Sequence, residues 1–427
     1  MKPLIVASTR PELIKLAPVM CELDKKGIEY KFVTTGQHYD LQLFGAFIRD
    51  LKLKEPDYDI EIGSGTQAYQ TALGMTELEK IFVKERPDVV IVEGDTNSVL
   101  SASLAAVKLH IPVAHVEAGL RSFDRNMPEE INRTVADHCS EALFAPTEGA
   151  ALNLVNEGIP PRKIFITGNT IVDATLQNIK LANDSILQKF PEDFLLLTLH
   201  RAENVDSPDT LKGIMKAITG LGRNVVFPVH PRTEKMLEGT GISEHKNISL
   251  TEPLGYLDFL PLLKNARAVL TDSGGIQEEA IVLNTPCITL RTTTERPETV
   301  EAGGNILAGV SAERITETVK RVLDDKELYE NMKHAENPLG DGRSAGRIVN
   351  ILIDLHEKGA LKITSPDFTG GMPEKRYIEV DSALEGKRVG ELEFAVLNII
   401  EDGKEKFPHK DVELKKGQLL VTLNYRL

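Results

Sequence analysis

Asp272-Ser273-Gly274-Gly275-Ile276-Gln277-Glu278-Glu279 follows the apolar run Ala266-Arg267-Ala268-Val269-Leu270-Thr271 and leads into an amphipathic segment. The order reads as strand, glycine turn and helix start. Two adjacent glycines let backbone approach a ligand with no Cβ in the way, and the unsatisfied N–H groups of the following helix turn point at whatever sits there. That geometry suits a phosphate. Glu278 and Glu279 face phosphates poorly. If at least one of them turns toward hydroxyl groups such as those of a ribose, a nucleotide fits better than bare phosphate. The same octapeptide also reads as an ordinary helix start whose acids complement the helix dipole.

The surrounding chain weighs on that choice. Short β-rich runs alternate with helix-length amphipathic runs as far as about residue 360. Strands are predicted at 4–8, 30–35, 89–93, 113–116, 142–145, 164–167, 195–199, 225–229, 268–271 and 287–290. Several are near-continuously apolar, as parallel strands buried on both faces are. This is a doubly wound α/β pattern. So many strands exceed one comfortable open sheet, and the count divides after Gly168-Asn169-Thr170. The expectation is two Rossmann-like domains, 1–170 and 171–360, with a cleft between them. The last helical run, Ser344 to Glu357, is placed as crossing back to the first half.

At 427 residues and 41% hydrophobic content the chain is long enough for two or three cored domains. It has no apolar run of ~18 residues, so no membrane-spanning helix is expected. The N-terminus reads as a first strand rather than a signal peptide, because Arg10, Glu12 and Lys15 arrive too soon. Cys21, Cys139 and Cys287 lack the spacing of a disulfide framework or a metal site and fit a reducing cytoplasm. A net charge of −14 argues against non-specific nucleic-acid binding. Any anionic ligand must be held by local cations.

Polar residues collect where the predicted strands end, which is where such sheets place ligands. They are Ser8-Thr9-Arg10-Pro11-Glu12 with Lys15, Thr35-Gly36-Gln37-His38, Gly94-Asp95-Thr96-Asn97, and Glu117-Ala118-Gly119-Leu120-Arg121, followed by Pro128-Glu129-Glu130. The second half adds His200-Arg201-Ala202-Glu203-Asn204 and His230-Pro231-Arg232. Taken singly, Asp95-Thr96 reads as a helix cap, Glu129 or Glu130 as a first-turn acid, and His200 as a core histidine. Recurrence at strand ends in both halves is what those readings leave unexplained. Three carboxylate positions (Asp95, Glu117 and the Glu129/Glu130 pair) set against His200, Arg201, a phosphate-type loop, Arg291 and Arg296 fit acid/base work on a group attached to a nucleotide diphosphate. Two other motifs point toward NAD but sit in the wrong context. Gly63-Ser64-Gly65-Thr66-Gln67-Ala68 follows a charged, alternating run that reads as an edge strand, and Tyr329 with Lys333 lies in a very polar helix.

Thr9-Arg10-Pro11-Glu12, Gly36-Gln37-His38, Gly94-Asp95-Thr96, His115-Val116-Glu117-Ala118-Gly119-Leu120-Arg121, Pro128-Glu129-Glu130, Thr167-Gly168-Asn169-Thr170, His200-Arg201-Ala202-Glu203-Asn204, Pro228-Val229-His230, Glu252-Pro253-Leu254, the opening octapeptide and Thr293-Thr294-Glu295-Arg296-Pro297-Glu298 together resemble the non-hydrolysing UDP-N-acetylglucosamine 2-epimerases. The resemblance runs in order from residue 1 to about 357. It implies the two-domain GT-B fold of nucleotide-sugar transferases and interconversion of UDP-GlcNAc and UDP-ManNAc, with neither NAD nor an essential metal. By the same resemblance, Asp95, Glu117, Glu129 and His200 take acid/base and mechanistic positions, with Glu130 left as an alternative to its neighbour. Arg10, Lys15, Arg201, His230, Ser273, Gly274, Gly275, Glu279 and Arg296 fall around the nucleotide, Glu279 on the ribose and Phe259 near the uridine. The implied mechanism is elimination of UDP and re-addition through a glucal. Gln37 and His38, with His230, match an activator site for a second UDP-GlcNAc. Tyr39-Asp40 stands where a basic residue is usual, so that site stays open. A hydrolysing enzyme releasing ManNAc and UDP, and a UDP-sugar sensor without activity, are the alternative readings.

The family ends near residue 360, and this chain continues. Residues 361–375 read as a Gly/Pro/Ser/Thr-rich linker, and 376–427 as a small β-rich α+β module. Leu384 to Leu392, Ile399 to Lys404 and Leu414 to Val421 resemble the TrkA C-terminal domain of ion-transport regulators. That resemblance implies a module that dimerises or binds a small ligand. A ligand-free solubilising or oligomerising appendage is the other reading, and a homodimer is the expected assembly.

Overall fold

The computed structural model describes residues 1–36, 48–49, 51–229, 231–237, 242, 245–363, 375–392 and 396–423. One compact unit is built from the described residues of Met1–Phe44, Lys54–Thr170 and Arg343–Leu427, the other from those of Gly45–Leu53 and Ile171–Gly342.

The first unit contains a parallel sheet of β1 (Pro3–Ala7), β2 (Lys31–Thr34), β3 (Tyr58–Asp59), β4 (Val89–Glu93), β5 (Val113–Val116), β6 (Ala142–Ala145) and β7 (Ile164–Ile166). Its order is β3-β2-β1-β4-β5-β6-β7. Every residue of β1, β4, β5 and β6 is buried, and apart from Glu93 at the end of β4 and His115 within β5 they are apolar, which produces the near-continuous runs seen in the sequence. The chain winds outward from β1 in one direction through β2 and in the other through β4. The reversal leaves a crevice at the C-terminal ends of β1 and β4, where Ser8 to Glu12 and Gly94 to Asn97 lie.

The second unit repeats the plan with β8 (Leu195–Thr198), β9 (Val225–Pro228), β10 (Ile248–Thr251), β11 (Val269–Thr271), β12 (Cys287–Thr289) and β13 (Asn305–Leu307), in the order β10-β9-β8-β11-β12-β13. Here the reversal falls between β8 and β11. His200 follows the first of these strands and the Asp272–Gly275 turn follows the second. A core of Leu197, Ile214, Phe227, Leu270 and Ile288 packs beneath one face of the sheet.

Helix Ser344–Glu357 belongs to the first unit. Its Ser344 hydroxyl donates to the Asn169 carbonyl at 3.3 Å and its Arg347 guanidinium to the Thr167 carbonyl at 3.1 Å. The C-terminal segment forms an antiparallel sheet of β14 (Lys375–Glu379), β15 (Val396–Glu401), β16 (Lys404–Lys406) and β17 (Leu419–Leu423), ordered β14-β17-β15-β16, with its own core of Val380, Val396, Ile399, Leu414 and Leu420. This module rests on helix Glu148–Asn156 of the same unit. Phe407 is buried among Leu143, Leu154, Val155 and Ile159, its backbone N–H donates to Glu148 at 3.1 Å, and Asn398 donates to Asn156 at 3.2 Å.

The two NAD-like motifs have structural roles. Gly63 to Ala68 follows the two-residue edge strand β3, and Thr66 caps helix Gln67–Glu85 by accepting the Tyr69 N–H. The Tyr329 hydroxyl donates to the Arg267 carbonyl at 3.0 Å beneath the Arg267 guanidinium, while Lys333 is exposed.

Candidate functional site

At the β1/β4 crevice, Arg10 opens helix Arg10–Lys25 and Glu12 folds back to accept the backbone N–H groups of Ser8 and Thr9 and the Ser8 hydroxyl. Burial pushes the Glu12 carboxyl up. Lys15 is buried one turn further along. Its ammonium lies 2.5 Å from Glu117 Oε2 and 3.4 Å from Glu93 Oε1. A single cation thus serves two buried carboxyl groups. Burial lifts Glu93 well above the usual carboxylate range; Lys15 opposes that and the Glu117 carboxylate reinforces it.

Glu117 sits directly after β5 in a left-handed conformation, φ +67°, a strained geometry for a residue with a Cβ. The turn is held from below. A Cβ on Gly119 (φ +83°) would come within 2.2 Å of the Ala150 carbonyl, so only glycine fits. Asn169 donates to the other Glu117 oxygen at 3.4 Å. Asp95, after β4, is partly exposed and ion-paired to Arg133, which also reaches Glu130 at 3.3 Å. Glu130 is buried and accepts from the Ser122 N–H, the Ser122 hydroxyl and the Phe123 N–H at 2.9, 3.0 and 2.9 Å. Glu129, beside it, is exposed and makes no hydrogen bond or ion pair with any described residue. The first sheet therefore gathers Arg10, Lys15, Asp95, Glu117 and the Glu129/Glu130 helix start at its C-terminal edge.

In the second unit, β11 leads through Asp272 and Ser273 into helix Gly274–Val282. Neither Gly274 nor Gly275 has a positive φ, and a Cβ built on either meets no atom within 4 Å. The protein's own packing does not require glycine here, and the space beside the backbone is open to a ligand. The first N–H groups of this helix have no carbonyl partner within the helix and suit an anion. Fully buried Asp272 fastens the neighbouring loop. It accepts the N–H groups of His200 and Arg201 at 3.2 and 3.0 Å and the Asn204 amide at 3.1 Å, and it lies 2.9 Å from His200 Nδ1. Burial raises its pKa, but the bonds from His200, Arg201 and Asn204 outweigh burial and hold the carboxyl below its ordinary value. His200 is half exposed, with Nδ1 toward Asp272 and Nε2 on the opposite side of the ring.

Arg201 lies 3.8 Å from Glu295, which is bound in bidentate fashion by Arg291 at 2.8 and 3.0 Å. Glu278 is buried and ion-paired to Arg296. Glu279, also buried, lies beside the Tyr256 phenol; burial and that carboxylate push the phenol well up. Phe259 packs half-buried against the core of Leu262 and Leu263. Gln37, His38 and His230 lie outside the described residues.

Asp272 and Glu12 stand in the strand-end motifs of the sequence with no role assigned to them, and Glu93 is the last residue of the strand predicted at 89–93. Asp272 had a detectable signal, as an acid placed directly between a buried strand and a phosphate-type glycine turn. Glu93 ends a fully apolar strand, and a carboxyl in that position has to find a partner or hold a proton.

Parallel sheets with charged groups at both switch points and an open Gly-Gly helix start define an α/β enzyme that handles a nucleotide-linked substrate. The profile of the family described as UDP-N-acetylglucosamine 2-epimerase matches residues 21–353. A UDP-N-acetylglucosamine 2-epimerase of Methanocaldococcus jannaschii is 50% identical over 367 residues, covering 82% of this chain and 99% of that protein. The crystal structure of the M. jannaschii enzyme in complex with UDP-GlcNAc and UDP superposes with a TM-score of 0.76 at 50% identity, covering 83% of this chain and all of that one. A Neisseria meningitidis UDP-GlcNAc 2-epimerase bound to UDP-GlcNAc gives a TM-score of 0.78 at 36% identity, again with 83% and 100% coverage. The chain belongs to the UDP-N-acetylglucosamine 2-epimerase family and is an isomerase.

Proposed function

We propose that the protein interconverts UDP-GlcNAc and UDP-ManNAc without net hydrolysis, by eliminating UDP and adding it back. The C2 proton of the sugar has no carbonyl beside it and is barely acidic. As the C1–O bond to UDP breaks, positive charge develops at C1 and makes that proton removable. A carboxylate takes the C2 proton, the C–H electron pair forms the C1–C2 double bond of a glucal, and UDP leaves with the electrons of the C1–O bond. An acid then returns a proton to the opposite face of C2 while UDP oxygen re-bonds to C1. Two acid/base groups on opposite faces are required, which gives Asp95, Glu117 and Glu129 a purpose.

Arg10, Lys15, Arg201, His230 and Arg296 are assigned to the departing diphosphate, the Ser273–Gly275 helix start to its phosphates, Glu279 to the ribose and Phe259 to the uridine end. His200, oriented by Asp272, stands with the acid/base groups. The observation that carries the reading is the open Gly274-Gly275 helix start beside the Asp272–His200 pair, in a chain whose first sheet ends in partly buried carboxylates. The test is product analysis after incubation with UDP-GlcNAc. UDP-ManNAc with no free sugar supports the proposal, and ManNAc plus UDP assigns the hydrolysing reaction instead.

We further propose that residues 376–427 form a TrkA-C-like module that takes a small ligand or joins two chains as a homodimer, and that the protein works in the cytoplasm. The antiparallel sheet supports the first point and the three free cysteines the last. Light-scattering mass measurement on the full chain and on one ending at residue 360 tests the homodimer. A dimer that persists without the module removes the module from assembly.

A further inference from the structure

His115 lies within β5 and is completely buried. Nδ1 is 2.7 Å from Asp137 Oδ1 and Nε2 is 2.8 Å from the Gly94 carbonyl. A carbonyl only accepts. Asp137 also acts as an acceptor, taking the Gly119 N–H at 3.2 Å and the Arg121 guanidinium at 2.7 Å. A neutral imidazole has one N–H, so it would set a ring lone pair against an oxygen lone pair at one of these two contacts, inside the core.

We infer that His115 is a resident imidazolium whose two N–H bonds tie the turn before Asp95 to the turn carrying Glu117, making it a positioning residue for both carboxylates. Charge balance supports this. Arg121 donates to Glu157 at 2.7 Å through both Nε and Nη2, so with His115 protonated two cations face two carboxylates. With it neutral, the Arg121 guanidinium alone faces both carboxylates, of which Asp137 is fully buried. The groups facing the ring are Asp137 from helix Pro128–Cys139, the Gly94 carbonyl after β4, and Arg121 beyond Glu117. His138, at the surface, approaches Glu157 at 3.6 Å. Burial alone would strip the proton from His115; the Asp137 carboxylate outweighs it and raises the pKa.

The role as a positioning residue rests on the acid/base reading of Asp95 and Glu117, while the protonation state stands independently of it. The experiment is nitrogen-detected NMR of the imidazole rings in the full chain at pH 8, with the His115 signal identified by its absence in His115→Gln, together with steady-state kinetics of that variant. The expected result is two ring protons on His115 and a His115→Gln kcat at least ~10-fold lower with KM within about threefold, the pattern of reacting groups displaced by a fraction of an ångström. A singly protonated His115 in the wild type overturns the inference whether or not the variant folds, and so does a folded variant with wild-type kcat. Asp95→Asn and Glu117→Gln, measured alongside, report on the carboxylate reading: wild-type turnover in both means that reading has failed, whatever the protonation of His115.

Discussion

Glu129 and Glu130 share the first turn of one helix, yet only Glu130 is tied into the fold: its buried carboxylate holds the N–H groups of Ser122 and Phe123, while that of Glu129 stands in solvent. Glu129→Gln is therefore expected to fold with a stability change within about 0.5 kcal/mol and to lose kcat by ~100-fold or more, on the scale of an acid/base group. Glu130→Gln should lose about 1–3 kcal/mol of stability, as expected when partners of a buried charged acceptor are disrupted. Chemical denaturation and turnover of both variants check this. The reverse pattern would move the acid/base role to Glu130.

Asp272 orients His200 and the two N–H groups beside it. Asp272→Asn leaves a side chain with one acceptor where three backbone or amide donors and an imidazole converge. kcat should fall at least ~10-fold and stability by about 1–3 kcal/mol. Wild-type turnover in a folded Asp272→Asn would remove the Asp272–His200 pair from the mechanism.

Burial raises Glu295, but the bidentate Arg291 bond and the charge of Arg201 outweigh it and hold the carboxyl at about 2, below its ordinary 4.5. The ionised form is favoured by folding. Its contribution is present above about pH 4.5 and is lost as pH falls toward 2, amounting to about 3 kcal/mol at most. Urea denaturation between pH 6 and pH 3 should show Glu295→Gln converging on the wild type as acid removes the difference. A gap that stays constant across that range would contradict the assignment.

Phe407 fills a position among Leu143, Leu154, Val155 and Ile159, and helix Glu148–Asn156 beneath it closes on Gly119. Phe407→Ala should cost about 3–5 kcal/mol of the module's docking and unit stability. Calorimetry is expected to show the module's transition separating from that of the rest of the unit. A single unchanged transition would mean that the module stands apart in solution.

Much of this architecture is written in local pattern. The central strands β1, β4, β6, β8 and β11 carry apolar runs, broken only by a polar residue at the C-terminal end of β4, β8 and β11, that leave little choice. Edge strands β10, β13 and β16 do not. Ile248-Ser249-Leu250-Thr251 is half exposed, and Lys404-Glu405-Lys406 has no apolar side chain, so only their neighbours make them strands. The strand-end rule located the candidate residues, but it could not separate Glu129 from Glu130. Adjacent helix positions point about 100° apart, and which one is buried depends on the path of the loop through Ser122 and Phe123. The Lys15–Glu93–Glu117 cluster escaped for a similar reason, because it joins residues from three elements distant in sequence.

Epimerisation by elimination and re-addition requires proton exchange at C2 without loss of the nucleotide. The measurement is proton NMR of the full chain with UDP-GlcNAc in D2O, with neither nicotinamide cofactor nor metal added. UDP-ManNAc and recovered UDP-GlcNAc carrying deuterium at C2, with no accumulation of free sugar, is the predicted result. UDP-ManNAc that retains its C2 hydrogen, or release of free ManNAc and UDP as the sole products, would contradict it.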